Sequence, residues 1–329
     1  MTEAVVIEAV GLDSGVIDSV LVIVTQLVLA IAVTPLLIGV MRTTRARLEG
    51  RVGGGIGQPW RDVAKLLSKE PLRAPGSTPV LTTAPILLVA SSLLLCALVP
   101  LVSTLALASV PGDLFVVVSV LLLGTVALAL LGLESGTAFG GMGSSRHMTI
   151  AALVEPTVLL SIYALSVPTG TSALASIVQA RKLDPTSLLN PVSLLSIVAL
   201  VVVVIAETGR LPVDNPSTHL ELTMVHEAMI LESGGRDLGW LEFGSWLRLT
   251  ALLGLVVNLA MPWGVAADAA PLGLLVGLVT ITAKLLVTGA LLAAAEVFMA
   301  KLRLFRVPEL LAGSFVLAFL SVSASYLVF

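Results

Sequence analysis

Eight runs of sixteen or more mostly apolar residues divide this chain, and they decide what it can fold into. They extend approximately from Asp18 to Met41, Val80 to Ser109, Leu114 to Leu133, Met148 to Val167, Pro191 to Ala206, Leu247 to Trp263, Leu272 to Ala295 and Leu310 to Phe329. A helix needs about 20 such residues to cross about 30 Å of hydrocarbon. None of the runs shows the period-two alternation of a barrel strand, and a helix closes every backbone hydrogen bond within itself. The expected fold is therefore an all-α polytopic membrane protein. It should be a bundle of about eight transmembrane helices in one membrane domain, residues 1–329, with amphipathic helices on the cytoplasmic side. Composition agrees: 57% of residues are apolar and 12% charged, against about 25% charged in a soluble domain. The expected partner is the lipid bilayer and not nucleic acid.

Basic residues set the orientation. If the first loop is cytoplasmic, the inner loops hold Arg42, Arg45, Arg47, Arg51, Arg61, Lys65, Lys69, Arg73, Arg146, Arg210, Arg236, Arg248, Lys301, Arg303 and Arg306, fifteen of the 18 Lys and Arg. Arg181 and Lys182 fall outside and Lys284 within a span. An even number of crossings then puts both termini on the outer face of the cytoplasmic membrane. Residues 1–19 carry Glu3, Glu8, Asp13 and Asp18 but no Lys or Arg. A cleavable signal peptide wants a basic start, so the first span is expected to persist in the mature protein.

One cysteine, Cys96, lies inside a span. No disulfide can form within the chain, and no Cys-x-x-Cys pair exists to hold an iron–sulfur cluster or a nickel–iron centre. Any electrons must travel in another subunit.

The titratable groups concentrate elsewhere. The fifth apolar run ends in Ala-Glu-Thr-Gly-Arg-Leu-Pro-Val-Asp-Asn-Pro, followed by a helix-like stretch with His219, Glu221, His226, Glu227 and Glu232. Carboxylates beside a membrane-spanning helix are groups whose charge state can change, because desolvation and neighbouring charges shift pKa values most at such a boundary. Asn215-Pro216 reads as an N-cap and first helical residue, starting a helix to about Leu231. On that helix His219 and His226 share a face, with Glu221 and Glu232 nearly opposite. Polar groups lining a cavity suit this pattern better than a metal site. Residues 207–246 are read as a cytoplasmic acidic loop and helix.

Residues 42–79 form the first cytoplasmic loop. Within it Trp60, Val63, Ala64 and Leu67 make an apolar stripe opposite Arg61, Asp62, Lys65 and Lys69, expected to lie in the membrane interface. Glu155 and Lys284 fall inside spans. A central Lys costs about 2.5–3.5 kcal/mol on insertion scales, so both should face the bundle interior, either in proton handling or in a structural ion pair or hydrogen bond between helices.

The stretch from Ala206 to Glu232 resembles the signature of the membrane subunit of group 4 nickel–iron hydrogenases, the formate hydrogenlyase subunit 4 type. That subunit is in turn similar to subunit 1 of respiratory complex I. Gly136 to Arg146 resembles the family's loop before the fourth span. Gln58-Pro59-Trp60-Arg61-Asp62 with Lys65-Leu66-Leu67 resembles its loop after the first.

The resemblance implies a membrane-anchoring, proton-coupling subunit that links a peripheral redox arm to ion-translocating membrane subunits. It implies a carboxylate relay of Glu155, Glu207, Arg210, Asp214, Glu221, Glu227 and Glu232, with Lys284, and an interface with the arm made by Arg51, Gln58, Arg61, Asp62, Glu134 and Arg146. Partners would be hydrogenase large and small subunits, iron–sulfur subunits and antiporter-like membrane subunits. The nickel–iron centre and iron–sulfur clusters would sit in those partners and no cofactor in this chain. Two positions depart from the pattern: His147 stands where a Glu is expected in the hydrogenase relatives, and Arg51 sits in Gly-Arg-Val-Gly-Gly-Gly rather than Gly-Pro-Asn-Arg-Val-Gly-Pro. The Pro-Phe-Asp-Leu wording of the complex I quinone loop is here Leu-Pro-Val-Asp-Asn, which leans toward a hydrogenase. A quinone-site subunit of an NADH:quinone oxidoreductase remains the alternative.

Overall fold

The computed structural model describes residues 14–73, 76–105, 113–214, 224–299 and 306–328. Among them are eleven α-helices and two 3₁₀ turns, with no named strand. The helices are α1 (Ser14–Leu48), α2 (Gln58–Leu67), α3 (Val80–Leu98), α4 (Leu114–Glu134), α5 (Ala138–Ser166), α6 (Leu174–Leu183), α7 (Pro191–Glu207), α8 (His226–Ile230), α9 (Gly235–Ala260), α10 (Pro271–Phe298) and α11 (Val307–Val328). Seven of these, α1, α3, α4, α5, α9, α10 and α11, are long and apolar enough to cross a membrane. The chain is a polytopic, all-helical membrane protein.

The remaining expected span, α7, is apolar but has only 17 residues, about 25 Å at 1.5 Å per residue. Other boundaries differ for local reasons. The second span was expected to reach Ser109, but α3 stops at Leu98. Val99 precedes Pro100 and adopts extended backbone (φ −72°, ψ 127°), as a residue before proline prefers. The fourth span begins ten residues before Met148, because Thr137 Oγ1 caps Gly140 N at 3.1 Å. The Gly136–Arg146 stretch is therefore mostly helix rather than loop. The sixth begins at Gly235, not Leu247, so much of the 207–246 region is the first half of α9. Asp237, Leu241, Gly244 and Arg248 recur there at helical spacing on a buried stripe. Of the helix expected from Pro216 to Leu231, residues 215–223 lie outside the described residues, and His226–Ile230 forms the five-residue α8.

Helix α9 is the axis of the bundle: 83% of its most apolar window is buried, against 28% for α10 and α11. It packs on α1, α3, α7 and α10, while α4, α5 and α11 complete the ring. The amphipathic α2 docks on α9 through Val63, Leu66 and Leu67, with Leu66 and Leu67 closing over Gly239. Trp60 and Ala64 of the same stripe stay exposed.

Candidate functional site

The end of α7 organises the site. Gly209 N donates to Ala206 O at 3.1 Å and Arg210 N to Ile205 O at 3.0 Å, the paired bonds of a Schellman ending. The residue between helix and loop must take a left-handed conformation, and Gly209 does so at φ +60°. This stop leaves Glu207 on the last helical turn, facing inward, and sends Arg210 and Asp214 into the space beyond.

Glu207 is 8% exposed and pairs with Arg248 of α9, itself 5% exposed. The Arg248 Nη2 also donates to Leu121 O at 2.9 Å and Thr125 Oγ1 at 2.6 Å, both on α4. Thr125 Oγ1 lies 3.2 Å from Glu207 Oε1. One guanidinium thus ties three helices together. A Cβ at Gly124 would stand 2.7 Å from Arg248 Nη1, so the absent side chain makes room for it.

Next to this knot is a cavity of about 240 Å³, bounded by α1, α8, α9, α10 and the 208–214 turn. Arg210 Nη1 reaches Glu296 Oε1 at 3.4 Å across it. Asp214 Oδ2 accepts the backbone N–H groups of Val225 at 3.2 Å and His226 at 3.1 Å, orienting α8. Arg42 and Arg45 of α1, Glu227 of α8, and Glu242 and Ser245 of α9 complete the polar wall. Gly209, Asp214 and His226 also border a second void of about 10 Å³ that continues to Glu207 and His147, a volume at the lower limit for one water. Glu155, two turns from His147 on α5, lies within electrostatic reach of Glu207 and Arg248.

Several buried polar atoms along this line have no partner among the described residues: His147 Nε2, Glu155 Oε1, Glu207 Oε2 and Arg248 Nε. Buried polar atoms are normally paired, with protein or water. Outside the spans, burial holds His226 below the usual imidazole range, with Asp214 and Glu207 opposing and Arg248 and Arg210 adding to the effect. Burial likewise lowers the Arg210 pKa against the pull of Glu296. The arrangement can hold charge, redistribute it among several carboxylates, and admit water.

The expected relay residues thus divide. Glu207, Arg210, Asp214 and Glu227 converge on the cavity and its extension, with Glu155 just beyond. Glu232 is separate: it lines a different cavity of about 460 Å³ with Arg73 and Glu134. Glu221 lies outside the described residues. Lys284 lies midway along α10, away from the cavity, where Nζ donates to Met261 O at 2.6 Å and Trp263 O at 2.5 Å, in the segment after α9. Among the described residues it meets no carboxylate.

Of the expected interface residues, Arg51, Gln58 and Arg61 are exposed. Asp62 bridges Gln58 at 2.9 Å and Arg42 at 3.0 Å. Arg42 also stacks over Trp246, 5.3 Å from its centroid. Glu134 Oε1 accepts Thr78 N, and Arg146 Nη1 reaches Met224 O at 3.2 Å.

Arg248, Glu242 and Glu296 belong to the site but do not stand out in the sequence. Arg248 falls at the expected start of a span, among the cytoplasmic basic residues, but α9 begins at Gly235 and buries it. The buried stripe running through Asp237 and Leu241 carries the missing signal. Among the described residues no three of His, Cys, Asp or Glu converge as a metal-binding set.

Known proteins share this architecture. The NADH dehydrogenase family matches residues 20–326. Formate hydrogenlyase subunit 4 of Escherichia coli is 31% identical over 303 residues, covering 92% of this chain and 97% of that one. Hydrogenase-4 component C of the same organism is 31% identical over 271 residues, or 82% and 84%. One subunit of the NADH-quinone oxidoreductase of Orientia tsutsugamushi is 29% identical over 218 residues, or 64% and 62%. A chain of the membrane-bound sulfane sulfur reductase, an archaeal respiratory membrane complex, shares the fold at TM-score 0.80 and 20% identity, covering 93% of this chain and 99% of that chain.

Proposed function

The chain belongs to the NADH dehydrogenase family, and on that premise we propose that it is the membrane-anchoring and proton-coupling subunit of a membrane-bound hydrogenase complex. The full-length likeness to formate hydrogenlyase subunit 4 supports the hydrogenase assignment. Its peripheral partners would carry the nickel–iron centre and the iron–sulfur clusters, and antiporter-like subunits would lie beside it in the membrane. The arginine-rich end would face the cytoplasm and both termini the outer side.

One observation carries the coupling role: the charged cavity at Arg210 and Glu296 continues through Asp214 and His226 to the buried Glu207, with partnerless polar atoms along the way. A redox event in a docked arm changes the field at the cavity mouth. Because the carboxylates share neighbours, a shift in one moves the protonation of the next. Arg248 supplies the buried Glu207 with its counter-charge, and Asp214 fixes α8 so that His226 stays beside the void.

The test is the assembled complex in sealed vesicles, with electron transfer and internal acidification followed together. Glu155→Gln and Asp214→Asn should leave assembly and electron transfer to an artificial acceptor intact while lowering proton translocation about tenfold or more. Wild-type translocation in both variants would discard the relay. The 29% identity to a subunit of NADH-quinone oxidoreductase favours, as the second reading, a quinone-site role. Quinone co-purifying with the complex in stoichiometric amount would select it.

A further inference from the structure

At the end of the bundle opposite Glu207, the segment between α5 and α7 folds into α6 and the two 3₁₀ turns, enclosing a cavity of about 450 Å³. Arg181 of α6 lines it and is 5% exposed. Its Nε donates to Leu259 O at 2.8 Å, in the last turn of α9, and its Nη1 to Ser193 Oγ at 2.9 Å. Its Nη2 has no partner among the described residues. Burial is the one influence on its pKa, which falls to about 10, with no neighbouring carboxylate opposing it. The guanidinium therefore stays charged at neutral pH while lacking a counter-charge, a costly state inside a protein.

The facing wall is the N-terminus of α7. Asn190 caps it, Oδ1 accepting Val192 N at 3.4 Å, and its Nδ2 has no protein acceptor among the described residues. A 17-residue helix presents the positive end of its dipole here. Asp184 also lines the cavity, but it is exposed and its Oδ1 is engaged by Thr186 N at 3.1 Å and Thr186 Oγ1 at 2.6 Å. Leu165 and Val192 make part of the wall apolar.

We propose that this cavity binds a phosphate-type anion, held by the Arg181 guanidinium and the Asn190 amide at the α7 N-terminus. A guanidinium suits phosphate oxygens, which accept charge-assisted hydrogen bonds. The anion is either a phospholipid headgroup, with its chains against Leu165 and Val192, or free inorganic phosphate.

The full-length chain, purified and delipidated in neutral detergent, separates the two. Dioctanoyl phosphatidylglycerol, dioctanoylglycerol and inorganic phosphate are titrated by calorimetry and native mass spectrometry. The lipid source predicts that phosphatidylglycerol binds at least about tenfold more tightly than either dioctanoylglycerol or inorganic phosphate. The free-anion source predicts that phosphate binds alone and that lipid chains add nothing. Asn190→Asp keeps a favoured N-cap residue but sets a carboxylate against the anion. It should weaken either ligand about tenfold or more, with an unchanged or raised melting temperature when no anion is present, because the new carboxylate also supplies Arg181 with a counter-charge. Arg181→Gln should weaken binding further, and if it fails to fold, Asn190→Asp decides. Phosphatidylglycerol and phosphate binding unaffected by Asn190→Asp, or wild-type chain binding neither above dioctanoylglycerol, would overturn the site.

Discussion

Where α3 ends in the apolar interior, the chain breaks helix at Val99, and the backbone groups freed there are met by side chains from other helices. Gln26 Nε2 donates to Cys96 O at 2.5 Å and Val99 O at 2.7 Å, and its Oε1 accepts Leu101 N and Val102 N at 3.1 and 3.2 Å. Asn258 Nδ2 donates to Pro100 O and Leu101 O at 2.8 and 2.9 Å, and Lys284 and Lys182 donate to carbonyls after α9. The Glu207 end is just as polar and just as buried, yet His147, Glu155, Glu207 and Arg248 each keep an atom without a partner among the described residues, and His147 and Glu207 border open volume. Under the proposed function, the difference would separate scaffolding from working groups. A saturated network fixes one geometry, whereas an unsaturated one next to a void has room for water and for more than one charge distribution.

The largest expected effect attacks the one part of the Glu207 end that does resemble scaffolding. Arg248→Met strands a buried carboxylate and should cost about 3–5 kcal/mol, read as thermal or urea unfolding in detergent. The double variant Glu207→Gln/Arg248→Met should recover most of that stability yet still fail to translocate protons in the assembled complex. Recovery of both together would mean that the pair is only structural, erasing the contrast between the two ends.

Gln26→Leu comes next. It leaves four buried backbone groups unmet and should cost about 2–4 kcal/mol after relaxation. Turnover per assembled complex should remain that of wild type, and the same holds for Lys284→Met. Loss of proton translocation at normal assembly in either variant would move the proton route to the Val99 end.

These contrasts were unevenly legible in the sequence. Membrane-length apolar runs are a strong signal, because a spanning helix must satisfy its backbone internally, and α1, α4, α10 and α11 lie close to where they were expected. The acidic motif after Ala206 pointed to Glu207, Arg210 and Asp214 because a Gly-containing helix stop beside carboxylates is local chemistry. Arg248 was not legible in the same way: its partner, Glu207, is 41 residues away, and its helix begins in polar sequence that reads as loop. Lys284 was legible only in part. A charge inside a span signals a polar neighbour but not which kind, and the carbonyls after α9 serve as well as a carboxylate.

The smallest effect concerns pH. Burial lowers the His226 pKa from 6.5, so the folded chain holds a neutral imidazole at pH values where the unfolded chain binds a proton. Above about pH 6.5 the two states carry the same proton count and His226 adds no pH dependence. As pH falls below the unfolded value, stability is lost at up to about 1.4 kcal/mol per pH unit until the folded pKa is reached. His226→Gln should remove that slope between about pH 6.5 and 5, measured as the melting temperature across the series. The opposite end supplies the control, because Arg181 titrates at about 10 and contributes nothing in this window. An unchanged slope in His226→Gln would assign the acid sensitivity to the other buried imidazole, His147, or to the carboxylates. If Arg181→Gln changed it instead, the division between a titrating and a fixed end of the bundle would fail.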